Sequence, residues 1–205
     1  MQIIKQSMVL EYITPDALQL IERAGRTCYK SEDRITSDSA VKFIEKIKQL
    51  EHESVLEHAY ASFRIITDRG VTHEIVRHRL ASYSQESTRY CNYKKASFGK
   101  QITFILPVWF DGVFSPDETE RFNIWSHACS ISEDMYFKLL DMGQTPQQAR
   151  AVLPNSLKTE MVMTANFREW RHFFKLRTSE KAHPQMRELA LQGLAIMHKE
   201  VPELF

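Results

Sequence analysis

The chain is predicted to fold as α+β, an irregular α/β arrangement in which a central mixed or antiparallel sheet is flanked by helices. Three observations carry this. Strand-like and helix-like periods alternate along the chain without regular βαβ spacing. Hydroxyl-plus-proline helix starts recur at Thr14-Pro15, Ser115-Pro116 and Thr145-Pro146. The 205 residues hold no repeat, low-complexity segment or linker-like Pro/Gly/Ser stretch, so one domain over residues 1–205 is expected.

The elements follow in order. Residues 3–13 carry Ile3, Ile4, Val9, Leu10 and Ile13 among polar residues and read as an opening strand. Thr14 is placed to cap a helix that runs to about Tyr29, with Leu18, Ile21 and Ala24 on one face. Val41, Ile44, Ile47 and Leu50 repeat at helical spacing and predict a second helix over about 38–50. In His52–His58, Ser54 and Glu57 form a capping-box pattern. Residues 59–67 set Ala59, Ala61, Phe63 and Ile65 against Tyr60, Ser62, Arg64 and Ile66, a strand with one better-buried face.

A short helix is expected from Thr72 to about Arg79, then loop over residues 80–100. Ile102–Leu106 is a short apolar run closed by Pro107. Ser115-Pro116-Asp117-Glu118 is a capping box opening a long helix that ends at Gly143. Its stripe is Phe122, Trp125, Cys129, Ser132, Tyr136 and Leu139. Thr145-Pro146-Gln147-Gln148 repeats the device before a short helix. Leu157–Thr164 suits a strand, Asn166 caps another helix with Glu169 three residues on, and the last helix follows Pro184.

Composition excludes several classes. A net charge of +1 argues against non-specific nucleic-acid binding. No apolar run approaches the roughly 18–20 residues of a membrane span, and the N-terminus lacks a signal-peptide layout. Cys28, Cys91 and Cys129 are odd in number and widely spaced, which speaks against a disulfide framework or structural zinc. A soluble cytoplasmic protein with no membrane partner is the expectation.

The chemistry concentrates in Arg77-His78-Arg79-Leu80-Ala81-Ser82-Tyr83-Ser84-Gln85-Glu86-Ser87-Thr88-Arg89-Tyr90. Guanidinium forks fit phosphate bidentately, and hydroxyls and amides add neutral donors and acceptors. A bound anion is the simplest partner for such crowding. No Walker loop or Gly-x-Gly-x-x-Gly is present, so side chains must hold phosphate. His73-Glu74 with His78 resembles a zinc-protease motif, but the histidines are five apart, about 140° on a helix, and no metal is expected. Arg150 reads either as a surface arginine at a helix end or as a site residue. Asn166–Arg177 reads as a capped amphipathic helix burying Phe173, Phe174 and Leu176. That reading does not require Arg168, Arg171, His172 and Arg177, which offer stacking and hydrogen bonds to a planar cofactor. Single-stranded nucleic acid is the rival partner for this basic and aromatic mixture.

Arg77-His78-Arg79, then seven residues, then Ser87, resembles the signature of flavin-dependent thymidylate synthases. His52-Glu53-Ser54, Ala149-Arg150-Ala151-Val152-Leu153-Pro154, Asn166 and Leu176-Arg177 resemble further elements of that family, in family order over roughly residues 15–190. The resemblance implies transfer of a methylene group from methylenetetrahydrofolate to dUMP, with FAD reduced by NADPH supplying a hydride. It also implies a homotetramer with active sites shared between subunits. It implies FAD contacts for His52, Ser54, Arg77, His78, Arg79, Gln85, Asn166, Phe167, Arg168 and His172. For dUMP it implies Glu74, Ile75, Val76, Arg77, Gln85, Glu86, Ser87, Thr88, Arg89 and Arg150. Arg177 would face the uracil ring and stabilise charge as N3 ionises. Glu74, Gln85 and His172 depart in charge from some relatives. Ser87 is expected to orient the nucleotide, since hydride chemistry needs no enzyme adduct.

Overall fold

The computed structural model describes residues 1–110 and 115–205, Phe98 by its backbone alone. The elements are β1 (Gln2–Ile4), β2 (Ser7–Ile13), α1 (Ala17–Thr27), α2 (Ser39–Gln49), β3 (Tyr60–Asp68), α3 (Arg69–Ile75), β4 (Ala81–Gln85), β5 (Thr103–Ile105), α4 (Pro116–Asp141), α5 (Pro146–Ala149), β6 (Lys158–Asn166), α6 (Phe167–Arg177) and α7 (Pro184–Glu200). The fold is α+β. Strands β2-β3-β6-β4 form a small antiparallel sheet in that order. The pair β1-β5 is parallel, with Ile3 opposite Phe104. No described helix is long and apolar enough to cross a membrane.

The chain divides into two compact units. The first comprises residues 1–7, 66–76 and 84–161; the second comprises 8–65, 77–83 and 162–205.

In the first unit, Tyr93, Ile102, Phe104, Cys129, Tyr136, Ala149 and Leu157 form the core. Ser115 accepts from the Glu118 N–H, and the Glu118 carboxylate accepts from the Ser115 N–H, so the predicted capping box forms. Helix α3 starts earlier than expected, because Asp68 rather than Thr72 caps it: its carboxylate accepts the Val71 N–H at 2.7 Å. It also stops earlier, at Ile75, leaving Arg77–Arg79 beyond its end.

In the second unit, Phe63, Phe167, Trp170, Phe173 and Phe174 are buried together, with Phe63 and Trp170 edge-on at 4.9 Å. The Trp170 indole donates to the Ala61 carbonyl at 3.0 Å, which satisfies its one buried donor. Glycine permits two close approaches, where a side chain would force its neighbour to move. A Cβ on Gly25 would meet Phe43 at 2.4 Å, and one on Gly193 would meet Met8 Sδ at 2.5 Å.

Four local expectations are corrected. The opening strand over 3–13 is two strands, broken at Lys5-Gln6, where Gln6 is buried and accepts the Thr67 hydroxyl at 2.8 Å. Thr14 does not cap α1. Its hydroxyl is bonded to the Tyr60 backbone, and Asp16 occupies the cap at φ 50°. Val41 and Leu50 are exposed, and Ala40, Ile44 and Ile47 bury the inner face of α2. The loop expected over residues 80–100 contains β4, whose alternation is carried by polar residues.

Candidate active site

Most side chains read as nucleotide-binding lie in the first unit. Gln85, the last residue of β4, donates its amide to Thr72 and Thr159 hydroxyls, each at 3.1 Å. Glu86 accepts from Tyr93 at 2.8 Å and from Lys158 at 2.9 Å, and its N–H donates to the Glu160 carbonyl. Burial, then the Glu86 charge, pushes the Tyr93 hydroxyl well above the usual tyrosine range. The Ser87 hydroxyl accepts the Arg89 N–H at 3.3 Å within a turn closed by Tyr90 and Cys91 N–H groups on the Ser87 carbonyl. No general base is bonded to that hydroxyl among the described residues.

Thr88, 5 % exposed, accepts from Arg150 Nη1 at 3.0 Å. Arg89 donates from Nε to Gln147 at 2.9 Å and lies over the Tyr90 ring. Thr88, Gln147 and Arg150 line a cavity of about 530 Å³ with Arg69, Pro154 and Asn155. Arg69 Nη1 is buried there without a hydrogen-bond partner among the described residues, a donor whose burial is costly until an acceptor meets it. Sequence reasoning missed Arg69, because an arginine at the first turn of a helix gives no local signal. Arg150 is half-buried and tied to Thr88, not a free surface arginine. Glu74 is half-buried on α3, Ile75 is in the core, and Val76 is exposed just past the helix.

Most flavin-side candidates lie in the second unit. Arg77 and Arg79 are exposed, while His78 between them is 5 % exposed. His52 and Ser54 flank Glu53 at the start of a 3-10 stretch, Glu53–His58, and line a cavity of about 940 Å³ with Arg26, Lys46 and Arg168. The capping box expected for Ser54 and Glu57 does not form, because Glu57 accepts from Arg168 at 2.6 Å. Arg171 donates to Glu53 at 3.0 Å.

Asn166 ends β6 and caps α6, its side chain accepting the Glu169 N–H at 2.9 Å. Asn166, Arg168, His172, Leu80 and Phe174 line a second cavity of about 930 Å³. Phe167 is fully buried edge-on to Phe205, with its N–H on the Ala59 carbonyl. Its ring belongs to the core and is not presented to a ligand.

Three side chains distant in sequence form a chain, two of them buried and Arg177 half-buried. Glu169 meets His78 Nδ1 at 2.9 Å, and Arg177 Nε donates to His78 Nε2 at 3.0 Å. Burial holds the imidazole below its ordinary pKa of 6.5, against an upward pull from the Glu169 hydrogen bond. Tyr83 donates its hydroxyl to the His78 carbonyl, and burial pushes its own pKa up to about 12. His78, Glu169 and His172 bring ligand-type atoms within 4.8 Å of one another. Both nitrogens of His78 are already bonded, however, and a guanidinium stands on the second, which opposes a cation there.

Comparison with known proteins decides the family. The family model for "thymidylate synthase complementing protein", Thy1, matches residues 8–203. The chain belongs to the Thy1 family. A flavin-dependent thymidylate synthase of Geobacter sulfurreducens is 36% identical over 199 residues, which cover 94% of this chain and 82% of the relative. A Thy1 relative of the same name from Mycolicibacterium vanbaalenii is 35% identical over 208 residues, covering 91% of this chain and 77% of its own. The crystal structure of a UMP/dUMP methylase, PolB, from Streptomyces cacaoi with 5-Br dUMP superposes with a TM-score of 0.84. It covers 100% of this chain and 95% of that one at 24% identity, a likeness of fold.

Proposed function

We propose that this Thy1 chain is a flavin-dependent thymidylate synthase, converting dUMP to dTMP. Methylenetetrahydrofolate would be the one-carbon donor and NADPH the reductant of FAD. The observation that carries the reading is the extent of the family match. It runs over residues 8–203 and so takes in every candidate from His52 to Arg177.

The residues present fit both ligands. Arg150 lines the 530 Å³ cavity and is braced by Thr88, and Arg89 is braced by Gln147 of the cavity lining, both neutral partners. They keep their charge for a phosphate dianion, and Ser87 and Thr88 add hydroxyls. The cavities of about 930 and 940 Å³ in the second unit are of the size that holds a cofactor. There Asn166, Arg168 and His172, and His52, Ser54 and Arg168, offer donors beside apolar surface, a set suited to a ring system with a diphosphate tail. Arg77, His78, Arg79 and Gln85 complete the proposed flavin set, and the fully buried Phe167 would support it from the core rather than by a contact of its ring. The flavin, when bound, supplies the hydride.

The chain's own residues bind and polarise. Glu74, Ile75, Val76, Arg77 and Glu86 would hold the nucleotide with the hydroxyls and arginines already named. Arg177 presents a fixed cation where the uracil develops negative charge at N3. Ser87 orients the nucleotide, in keeping with a hydroxyl whose bonded partner is a backbone N–H rather than a base.

We further propose one catalytic domain over residues 1–205, assembled as a cytoplasmic homotetramer with shared sites. The long helix supports assembly: it leaves Ile124, Ile131, Met135 and, just past its end, Met142 exposed at spacings of seven, four and seven residues.

Purified protein should be yellow or take up FAD, oxidise NADPH faster with dUMP present, and yield dTMP when methylenetetrahydrofolate is added. Protein that takes up no flavin and makes no dTMP overturns the reading. Salt-dependent capture of oligonucleotides by such protein would favour a nucleic-acid module instead.

A further inference from the structure

We propose that Glu169 and His78 are positioning residues that fix the guanidinium of Arg177, with Glu169 selecting the imidazole tautomer that Arg177 needs. This rests on the reading of Arg177 as the cation facing the uracil.

A guanidinium has N–H donors and no acceptor. The 3.0 Å contact from Arg177 Nε therefore requires an unprotonated lone pair on His78 Nε2. A neutral imidazole with its lone pair on Nε2 carries its proton on Nδ1. That proton points at Glu169 Oε1, 2.9 Å away.

Glu169 is 6 % exposed and His78 5 %, so water does not compete freely for either bond. Phe173 packs edge-on to the imidazole at 4.9 Å and limits its rotation. Neither the Nε2–H tautomer nor the doubly protonated ring can accept the Arg177 bond. Burial and the guanidinium both disfavour the doubly protonated ring. The carboxylate thus acts at one remove, as a carboxylate does on a histidine that must offer its other nitrogen to a partner. The Asn166 cap fixes the Glu169 backbone while leaving its carboxylate for His78.

The first test needs no variant. In flavin-loaded protein labelled with ¹⁵N-histidine at pH 7, His78 should be protonated on Nδ1 and bare on Nε2; an Nε2–H tautomer or an imidazolium overturns the proposal. Glu169→Ala should lower kcat for dTMP formation at least about tenfold, since misplacing a reacting group by about 1 Å can cost about 100-fold. The KM for dUMP should move far less. Glu169→Gln, which still accepts the Nδ1–H, should restore most of kcat.

The decisive comparison is the double variant. Glu169→Ala added to Arg177→Ala should cost nothing further, because its effect passes through Arg177. A full additional loss would mark Glu169 as merely structural and overturn the proposal. An active Arg177→Ala removes the underlying reading and the proposal with it. An inactive Arg177→Ala beside a Glu169→Ala of normal kcat removes the positioning chain alone. If Glu169→Ala does not fold, the ¹⁵N spectrum of the unaltered protein and the Glu169→Gln kcat decide.

Discussion

Two pairs of candidate-site arginines, one pair in each unit, are held in opposite ways. In the first unit, Arg89 and Arg150 lean on an amide and a hydroxyl. On the cavity walls of the second, Arg168 and Arg171 lean on the carboxylates of Glu57 and Glu53. A neutral brace orients a guanidinium without cancelling its field, whereas a carboxylate orients it and offsets much of its charge. The first arrangement suits a small, highly charged ligand. The second suits a large ligand recognised by shape and hydrogen bonding. Arg177, also in the second unit, donates from Nε to His78, whose imidazole burial holds below its ordinary pKa.

The strongest way to break this contrast is Arg177→Ala. Removing a donor aimed at developing charge should lower kcat about 100- to 1,000-fold, with thermal unfolding little changed because the side chain is half-buried. A folded variant of normal turnover would falsify the assignment. Next comes Arg150→Ala. A lost bond to a charged ligand group is worth roughly 1.5–3 kcal/mol, so the KM for dUMP should rise about 10- to 100-fold while kcat holds. Equal losses in kcat would mean that the first unit does more than bind.

In the second unit, Arg168→Ala should weaken flavin retention through gel filtration, read from the visible absorbance. Glu57→Gln should leave retention intact and barely move the thermal midpoint, because the pair is exposed and screened by solvent.

The smallest effect concerns acid. His78 has its folded pKa lowered by burial, so the unfolded chain takes up that proton first as pH falls. The stability linked to His78 is complete above pH 6.5 and is lost below it. Thermal midpoints at pH 8 and pH 5.5 should therefore differ more in the unaltered protein than in His78→Gln.

Local rules made part of this legible. Ser115 and Asn166 cap where their spacing predicts, since each partner sits three residues away and nothing competes for it. The same rules failed where a distant group took the partner. Thr14 is claimed by Tyr60, and Glu57 by Arg168. The two-residue alternation of β4 is present, but with serines facing solvent it lacks the apolar signal that marks β3. Within the candidate site, the arginines are visible as a pattern, while their braces are not. Gln147 is 58 residues from Arg89, and Thr88 is 62 from Arg150. Glu169 shows the limit best. Its position three residues after Asn166 explains it fully as part of a helix start, and only the fold, bringing up His78 from 91 residues away, gives its carboxylate another task.

Asn166 closes β6 and opens α6 with no intervening loop. From there to Arg177 the backbone is one uninterrupted helix, about 16 Å long at 1.5 Å per residue. It behaves as a toothed shaft clamped at one end. Inserting a single residue after His172 would leave Asn166, Arg168 and Glu169 in register and turn Arg177 by about 100° away from His78. The same helix therefore carries the proposed cofactor contacts at its first turn and the proposed charge-stabilising arginine at its last, and one added tooth separates the two.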